Sequence, residues 1–370
     1  MVEEKWNWKK IVHGICIFII AIWWLNSCQS SIRSQKSVTV YYGPSDYTEI
    51  DHLLNIGEYE EAVEFCKEEL KEVPKDSDKE MALSTLLGEI YGFYIGDRDL
   101  AVSCLERAIE IARKNQNQSG IADACCYMAK VYVNLGGDME EGLEYAEEAE
   151  KMYRNLVGEN AIETANAMLN KGLLYFNNDQ WENALENLEP AEKIFESRQE
   201  VTGYTCIRIG IASMKLHEYE NAELAFLKAR RYSQKAEKDY YYASASQWLG
   251  QLYIELEEYR QAIASYEEAM VFFEMDMQHL REKAKIYNNL AYCIIKESGE
   301  WENAILYGIR ACQCIEEADD DSEKLKEEKE ELKLKLKDRF YDEWKPEASD
   351  EEFEMWYQKV VLDGKDWREE

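Results

Sequence analysis

The fold of this chain is decided by residues 248–253, WLGQLY, and by Tyr259, Ala262, Tyr266 and Ala269, which follow them. Counted from the glycine of this stretch, the aromatic and alanine residues stand at +3, +9, +12, +16 and +19. Small residues at such positions let two helices approach closely, while the aromatic side chains fill the space beside them. The stretch therefore predicts a hairpin of two packed helices.

The same pattern occurs seven times along the chain, with one extra residue in the turn of three copies. The small residue at or near +12 shows the regularity best, because successive copies are 39, 41, 42, 38, 40 and 42 residues apart. These small residues are Ala62, Ala101, Gly142, Ala184, Ala222, Ala262 and Ala304. A fixed period near 40 residues is typical of an array in which each hairpin packs on its neighbours.

This spacing resembles the tetratricopeptide repeat, and the longer period resembles the repeats of kinesin light chains and related bacterial proteins. Residues 288–291, NNLA, closely match the sequence of the first helix in these longer repeats. The resemblance implies an all-α fold, a right-handed α-α superhelix of about seven helical hairpins over residues 48–318. Acidic capping helices are expected at residues 319–370, where Leu325, Leu332, Leu336 and Phe340 form only a thin apolar stripe.

A short amphipathic stretch near the C-terminus allows two interpretations. Phe353, Trp356, Tyr357, Val360 and Val361 follow the i, i+3, i+4, i+7, i+8 spacing of one helix face. This face packs against the last repeat, or it docks on a partner or a membrane surface. The sequence leaves both open.

The N-terminal residues 1–27 read as a targeting segment. Lys5, Lys9 and Lys10 precede an apolar run at residues 11–25, as in a signal peptide. Residues 25–28, LNSC, resemble the lipobox of bacterial lipoproteins. The resemblance implies that Cys28 is acylated and becomes the first residue of the mature chain.

The alternative is an uncleaved signal anchor, and both interpretations attach the protein to the cell membrane. Three lysines precede the apolar run, whereas only Arg33 and Lys36 follow it closely. This bias of positive charge predicts that the folded part of the chain lies on the extracytoplasmic face. Residues 28–47 contain several serines and Gly43-Pro44, which predicts a flexible tether.

Composition excludes several classes of function. The net charge is −32, from 43 Lys and Arg against 75 Asp and Glu, so the chain repels phosphate backbones and no nucleic-acid partner is expected. Four scattered histidines provide little for a metal site or a catalytic base, and no phosphate-binding loop or nucleophile motif occurs. The ten cysteines lack metal-ligand spacing, and those of the repeats read as core residues. We expect no cofactor, no metal and no enzymatic activity.

Tetratricopeptide arrays resemble one another in binding extended peptides on a concave face made by the first helix of each repeat. At these positions the sequence collects amides, cations and aromatic residues, which can bind a peptide backbone and its carboxylates. The predicted groove residues are Tyr127, Lys130, Asn134, Asn166, Asn170, Asn177, Arg208, Lys215, Gln247, Trp248, Gln251, Asn288, Asn289, Tyr292 and Lys296. Alternatively, these positions only face water, since Glu89, Asp123 and Glu255 lie on the same face.

The sequence thus favours a membrane-tethered scaffold that captures a partner protein or an extended peptide, with an acidic or C-terminal segment as the expected ligand. The first alternative is a peptide-responsive regulator, since similar long repeats occur in bacterial receptors for short peptides. An enzyme with an unrecognised site is the second. The oligomeric state stays open.

Overall fold

The structure is a computed structural model that describes residues 48–200, 203–235, 239–274, 279–318 and 322–368. These residues form two compact units, of which unit 1 ends at Asn170 and unit 2 begins at Lys171. The predicted targeting segment, Cys28 and the tether lie outside the described residues.

The described residues contain sixteen α-helices and no strand. The first fourteen helices form seven consecutive hairpins, so the all-α fold of about seven helical hairpins is confirmed. The helices are α1 (Thr48–Ile56), α2 (Tyr59–Glu72), α3 (Asp78–Ile90), α4 (Arg98–Lys114), α5 (Gln118–Leu135), α6 (Met139–Leu156), α7 (Ile162–Asn177), α8 (Trp181–Ser197), α9 (Gly203–Lys215), α10 (Tyr219–Lys235), α11 (Asp239–Glu255), α12 (Tyr259–Phe273), α13 (Leu280–Ser298), α14 (Trp301–Glu316), α15 (Glu323–Arg339) and α16 (Asp350–Tyr357).

Small residues determine how closely the two helices of a hairpin pack. A Cβ atom at Gly250 would lie 2.7 Å from Cζ of Tyr266, and one at Gly210 would lie 2.5 Å from Cε1 of Phe226. Gly88 and Gly172 meet the leucine of the second helix in the same way. Each glycine therefore makes room for the large residue at +16 or +17, as the repeat pattern predicts.

The extra turn residue of three repeats is accommodated in three different ways. In the second repeat α3 continues into a π-helical turn, Tyr91–Ile95, which ends at Gly96 with φ +82°. The third repeat uses Gly136 and Gly137, both with positive φ. In the seventh, α13 is 19 residues long and ends at Gly299 with φ +69°. Glycine permits these left-handed turns without Cβ strain.

The C-terminal segment packs against the seventh hairpin within unit 2. Phe340–Trp344 and Gln358–Leu362 are π-helical turns that follow α15 and α16. Phe353 and Val360 are buried in one apolar cluster with Ile305 and Ile309 of α14. Gln313 donates a hydrogen bond from Nε2 to the Val360 carbonyl at 3.3 Å. The amphipathic face at residues 353–361 is therefore buried against the seventh hairpin. Of the two interpretations that the sequence left open, packing on the last repeat is the one the structure shows.

Among the helices of the described residues, none combines the length and the hydrophobicity needed to cross a bilayer.

Candidate functional site

Unit 2 contains a cavity of about 620 Å³ between the first helices of the fifth to seventh repeats and α15. We call it the unit 2 cavity. Aromatic, amide and charged side chains share its surface with a few apolar ones. These polar and aromatic residues are Tyr204, Arg208, Tyr240, Tyr241, Ser244, Gln247, Trp248, Gln251, Tyr266, Arg281, Glu282, Lys285, Asn288, Asn289, Glu328, Glu331 and Lys335.

The structure brings six of the fifteen predicted groove residues together around this cavity. They are Arg208, Gln247, Trp248, Gln251, Asn288 and Asn289. Four further predicted residues of unit 2 lie outside its lining and are exposed near the C-terminal ends of their helices, namely Asn177, Lys215, Tyr292 and Lys296. The predicted residues of the third and fourth repeats up to Asn170 belong to unit 1.

Arg208 on α9 is held between two aromatic rings. Its guanidinium carbon lies 4.9 Å from the ring centroid of Tyr204 and 5.1 Å from that of Phe176. Its Nε is buried without a hydrogen-bond partner among the described residues. Stacking of this kind fixes the plane of the guanidinium and leaves its N–H groups free to bind a carboxylate in the cavity.

The amides of the cavity are oriented by contacts with the core. Asn289 donates a hydrogen bond from Nδ2 to the Tyr266 hydroxyl at 2.9 Å, and the same nitrogen lies 3.4 Å from Oε1 of Gln251. Burial raises the pKa of Tyr266, so its phenol stays neutral and can accept this bond. Trp248 stacks on Phe226 with a centroid distance of 6.3 Å. Core packing therefore sets the shape of this wall.

Helix α15 forms the wall that the sequence did not predict. Arg281 donates from Nε to Oε2 of Glu328 at 2.8 Å, and Nζ of Lys285 lies 3.5 Å from the other carboxylate oxygen. The hydrogen bond from Arg281 lowers the pKa of Glu328, and the positive charge of Lys285 acts in the same direction. The spacing of Glu328, Glu331 and Lys335 marks one helix face, but it does not say what that face covers.

In unit 1, the predicted residues make contacts within the chain. Nζ of Lys130 lies 4.2 Å above the Phe93 ring, whose centroid is 6.1 Å from that of Tyr127. Burial lowers the pKa of Lys130. Asn170 is 6% exposed and donates a hydrogen bond to the Cys126 carbonyl at 3.1 Å.

The two other predicted residues of unit 1 differ in exposure. Asn134 is exposed near the end of α5, and Asn166 is half-buried on α7.

The cysteines of the described residues are all free thiols, and most are buried. Burial raises the pKa of Cys66 to about 12 and that of Cys104 to about 11. Within the described part of the chain, His, Cys, Asp and Glu form no group of three or more suited to a metal ion.

Comparison with known families identifies the repeats. Family models described as tetratricopeptide repeat match residues 121–197 in one case, and residues 83–115 and 243–270 in another. The chain contains tetratricopeptide repeats. A search of curated proteins found no significant match.

Several solved structures are similar to this chain in fold. The apo form of RapI has a TM-score of 0.54 at 16% identity, covering 73% of this chain and 96% of its own. A signal-transduction ATPase of the STAND class from Pyrococcus horikoshii, with a tetratricopeptide-repeat sensor, has a TM-score of 0.63 at 16% identity, covering 78% and 44%. A Rap protein complexed with competence and sporulation factor has a TM-score of 0.50 at 16% identity, covering 78% and 84%. At these identities the similarity shows the fold alone.

Proposed function

We propose that this chain is a protein-interaction scaffold that binds an extended peptide segment in the unit 2 cavity. The observation that carries the proposal is the cavity itself, where Arg208 and the amides of α11 and α13 face one space of about 620 Å³. This volume lies in the range of about 300 to 1,000 Å³ found for small-ligand sites, so it suits a short segment.

The lining matches the chemistry of an extended peptide. A peptide in this conformation has free backbone N–H and C=O groups, and Gln247 and Gln251 present amides that can donate and accept. The Oδ1 atom of Asn288 accepts a hydrogen bond from Arg339 at 3.0 Å, so Asn288 offers its Nδ2 donor. Trp248 and Tyr204 offer flat apolar surface for side chains. Both features support a peptide over a compact polar metabolite.

The charge pattern supports a ligand that carries a carboxylate. Arg281 and Lys285 are paired with Glu328, and Lys335 is paired with Glu331. Arg208 has no carboxylate partner within the described residues. An acidic side chain or a C-terminal carboxylate would meet this arginine and form a bidentate pair.

The test uses a random hexapeptide library on beads, with and without a free C-terminal carboxylate, probed with the full chain in nonionic detergent. We expect enrichment of peptides with the free carboxylate. Arg208→Gln should weaken the binding of the selected peptides at least about tenfold, since a hydrogen bond to a charged group contributes about 1.5–3 kcal/mol. Lys215→Gln is the matched control, because Lys215 is an exposed cation of the same helix outside the cavity lining. Equal enrichment of both libraries would assign the carboxylate at Arg208 to an acidic side chain, whereas binding unaffected by Arg208→Gln would overturn the proposal.

We further propose that residues 1–27 bring this scaffold to the cell membrane and that Cys28 carries the lipid, with the body on the extracytoplasmic face. The lysines, the apolar run and the LNSC sequence support this proposal. The intact mass of protein extracted from membranes tests it. A chain that begins at an acylated Cys28 is the expected result, whereas a chain that keeps residues 1–27 without lipid would make the segment a signal anchor.

One observation favours the peptide-responsive regulator as a second candidate. The wall formed by α15 is joined to α13 through the Glu328 contacts with Arg281 and Lys285. A ligand carboxylate that competes for these cations would loosen α15 and transmit binding to the C-terminal helices. Hydrogen exchange of residues 323–339, faster with a selected peptide than without it, would favour the regulator, whereas unchanged or slower exchange would favour the passive scaffold.

A further inference from the structure

A second unpaired charge of opposite sign lines the unit 2 cavity. Glu282 lies in the first turn of α13, is half-buried, and has no cation or hydrogen-bond donor within contact distance among the described residues. Every other charged residue of the lining forms an ion pair within the cavity, with Glu328 shared by Arg281 and Lys285. Arg208 and Glu282 are therefore the two charges that a ligand can still satisfy.

The two charges lie on helices separated by α11. Helix α9 contacts α11, and α11 contacts α13. Packed helices lie about 8–10 Å apart, so the axes of α9 and α13 are roughly 16–20 Å apart. An extended peptide advances about 3.3 Å per residue, so five or six residues span this distance.

We propose that the ligand is a dipolar peptide of this length, with its carboxylate at Arg208 and an ammonium group at Glu282. The inference rests on the proposed function and adds the second charge, the length and the direction of the chain. The ammonium is an N-terminal amine or a lysine side chain, since both offer three donors to a carboxylate. Opposite charges at the two ends also give specificity, because a reversed peptide would place like charges together.

Glu282 also has a purely structural explanation, which the test must separate from binding. An acidic residue in the first turn complements the helix dipole of α13 and stabilises the helix without any ligand. That role affects unfolding but gives no preference for a ligand cation. A preference that depends on the ligand's charge therefore identifies the binding role.

The experiment divides the hexapeptide library with a free carboxylate into three arms: a free N-terminal amine without lysine, an acetylated N-terminus with lysine first, and an acetylated N-terminus without lysine. We expect the full chain to prefer one or both cationic arms about tenfold over the neutral arm. Glu282→Gln should abolish this preference while the dependence on Arg208 remains. Glu255→Gln is the matched control, because Glu255 is an exposed carboxylate on α11 outside the cavity lining.

The outcomes separate the two proposals. Equal binding of all three arms, or a cationic preference that survives Glu282→Gln, would overturn this inference while the carboxylate site at Arg208 stands. Loss of the dependence on Arg208 itself would overturn the proposed function and this inference together. Which cationic arm is preferred distinguishes the terminal amine from lysine, and circular dichroism of each variant shows that it is folded.

Discussion

Asp123 is a carboxyl group of unit 1 that is largely shielded from water. The Tyr153 hydroxyl donates a hydrogen bond to its Oδ1 at 2.7 Å, which favours the ionised form. Burial outweighs this bond and raises the pKa of Asp123 to about 6. In the unfolded chain the pKa of an aspartate is about 3.9, so between these values the folded state binds more protons. The contribution of Asp123 to stability therefore falls as the pH rises through this window.

Replacing Asp123 by asparagine removes this dependence while keeping an oxygen that can accept from Tyr153. Relative to the wild type, Asp123→Asn should gain about 1 kcal/mol of unfolding free energy between pH 5 and pH 8. Urea unfolding followed by circular dichroism at the two pH values measures the gain. Glu144→Gln, at an exposed site on α6, should show no comparable change. A constant difference between Asp123→Asn and the wild type would contradict the prediction.

In four hairpins of the described residues, a glycine of the first helix faces a large side chain of the second. In the sixth repeat, Gly250 of α11 faces Tyr266 of α12, and this tyrosine is fully buried. Its ring has no room to move aside because the surrounding core is close-packed. An added methyl group must therefore push the two helices apart.

Gly250→Ala should lower the unfolding free energy of unit 2 by about 1–3 kcal/mol, the typical cost of overpacking a core. Tryptophan fluorescence in urea measures the loss, since Trp248 belongs to the same helix, two residues before Gly250. In the double variant Gly250→Ala, Tyr266→Leu the smaller side chain leaves space for the methyl group, so the combined cost should be less than the sum of the single costs. Strict additivity would show that the contact does not set the helix spacing.

The hairpins and the cavity were not equally predictable from the sequence. Repeat spacing depends on local contacts within some 40 residues, so the seven hairpins follow directly from it. The contact between Glu328 and Arg281 joins residues 47 positions apart, and no periodicity specifies it. Position in the repeat likewise indicated that Asn170 faces the groove, but its hydrogen bond to the Cys126 carbonyl depends on the packing of α7 on α5.

The charge of the whole molecule opposes the ligand that the cavity favours. The chain carries a net charge of −32, whereas Arg208 offers an unpaired cation inside unit 2. A peptide with net negative charge is therefore repelled at long range and attracted only on contact. Salt weakens the long-range part most, because exposed charges are screened beyond a Debye length.

The association rate of an acidic hexapeptide should therefore increase when NaCl is raised from 10 to 150 mM, since the Debye length falls from about 30 to about 8 Å. Stopped-flow fluorescence of a labelled peptide measures the rate. A zwitterionic peptide of the same length, with both ends free and no net charge, should show little change. A decrease in rate for the acidic peptide would mean that a local cationic field at the cavity dominates its approach.

The cover that residues 353–361 provide for α14 affects the protein during its synthesis. The apolar face of α14 is made first, and the residues that bury it follow about 50 positions later. At roughly 5–20 residues per second, that face stays without its cover for about 2.5–10 seconds. During this interval the nascent chain presents an apolar surface to chaperones and to neighbouring chains. A translational pause before residue 353 would prolong that exposure.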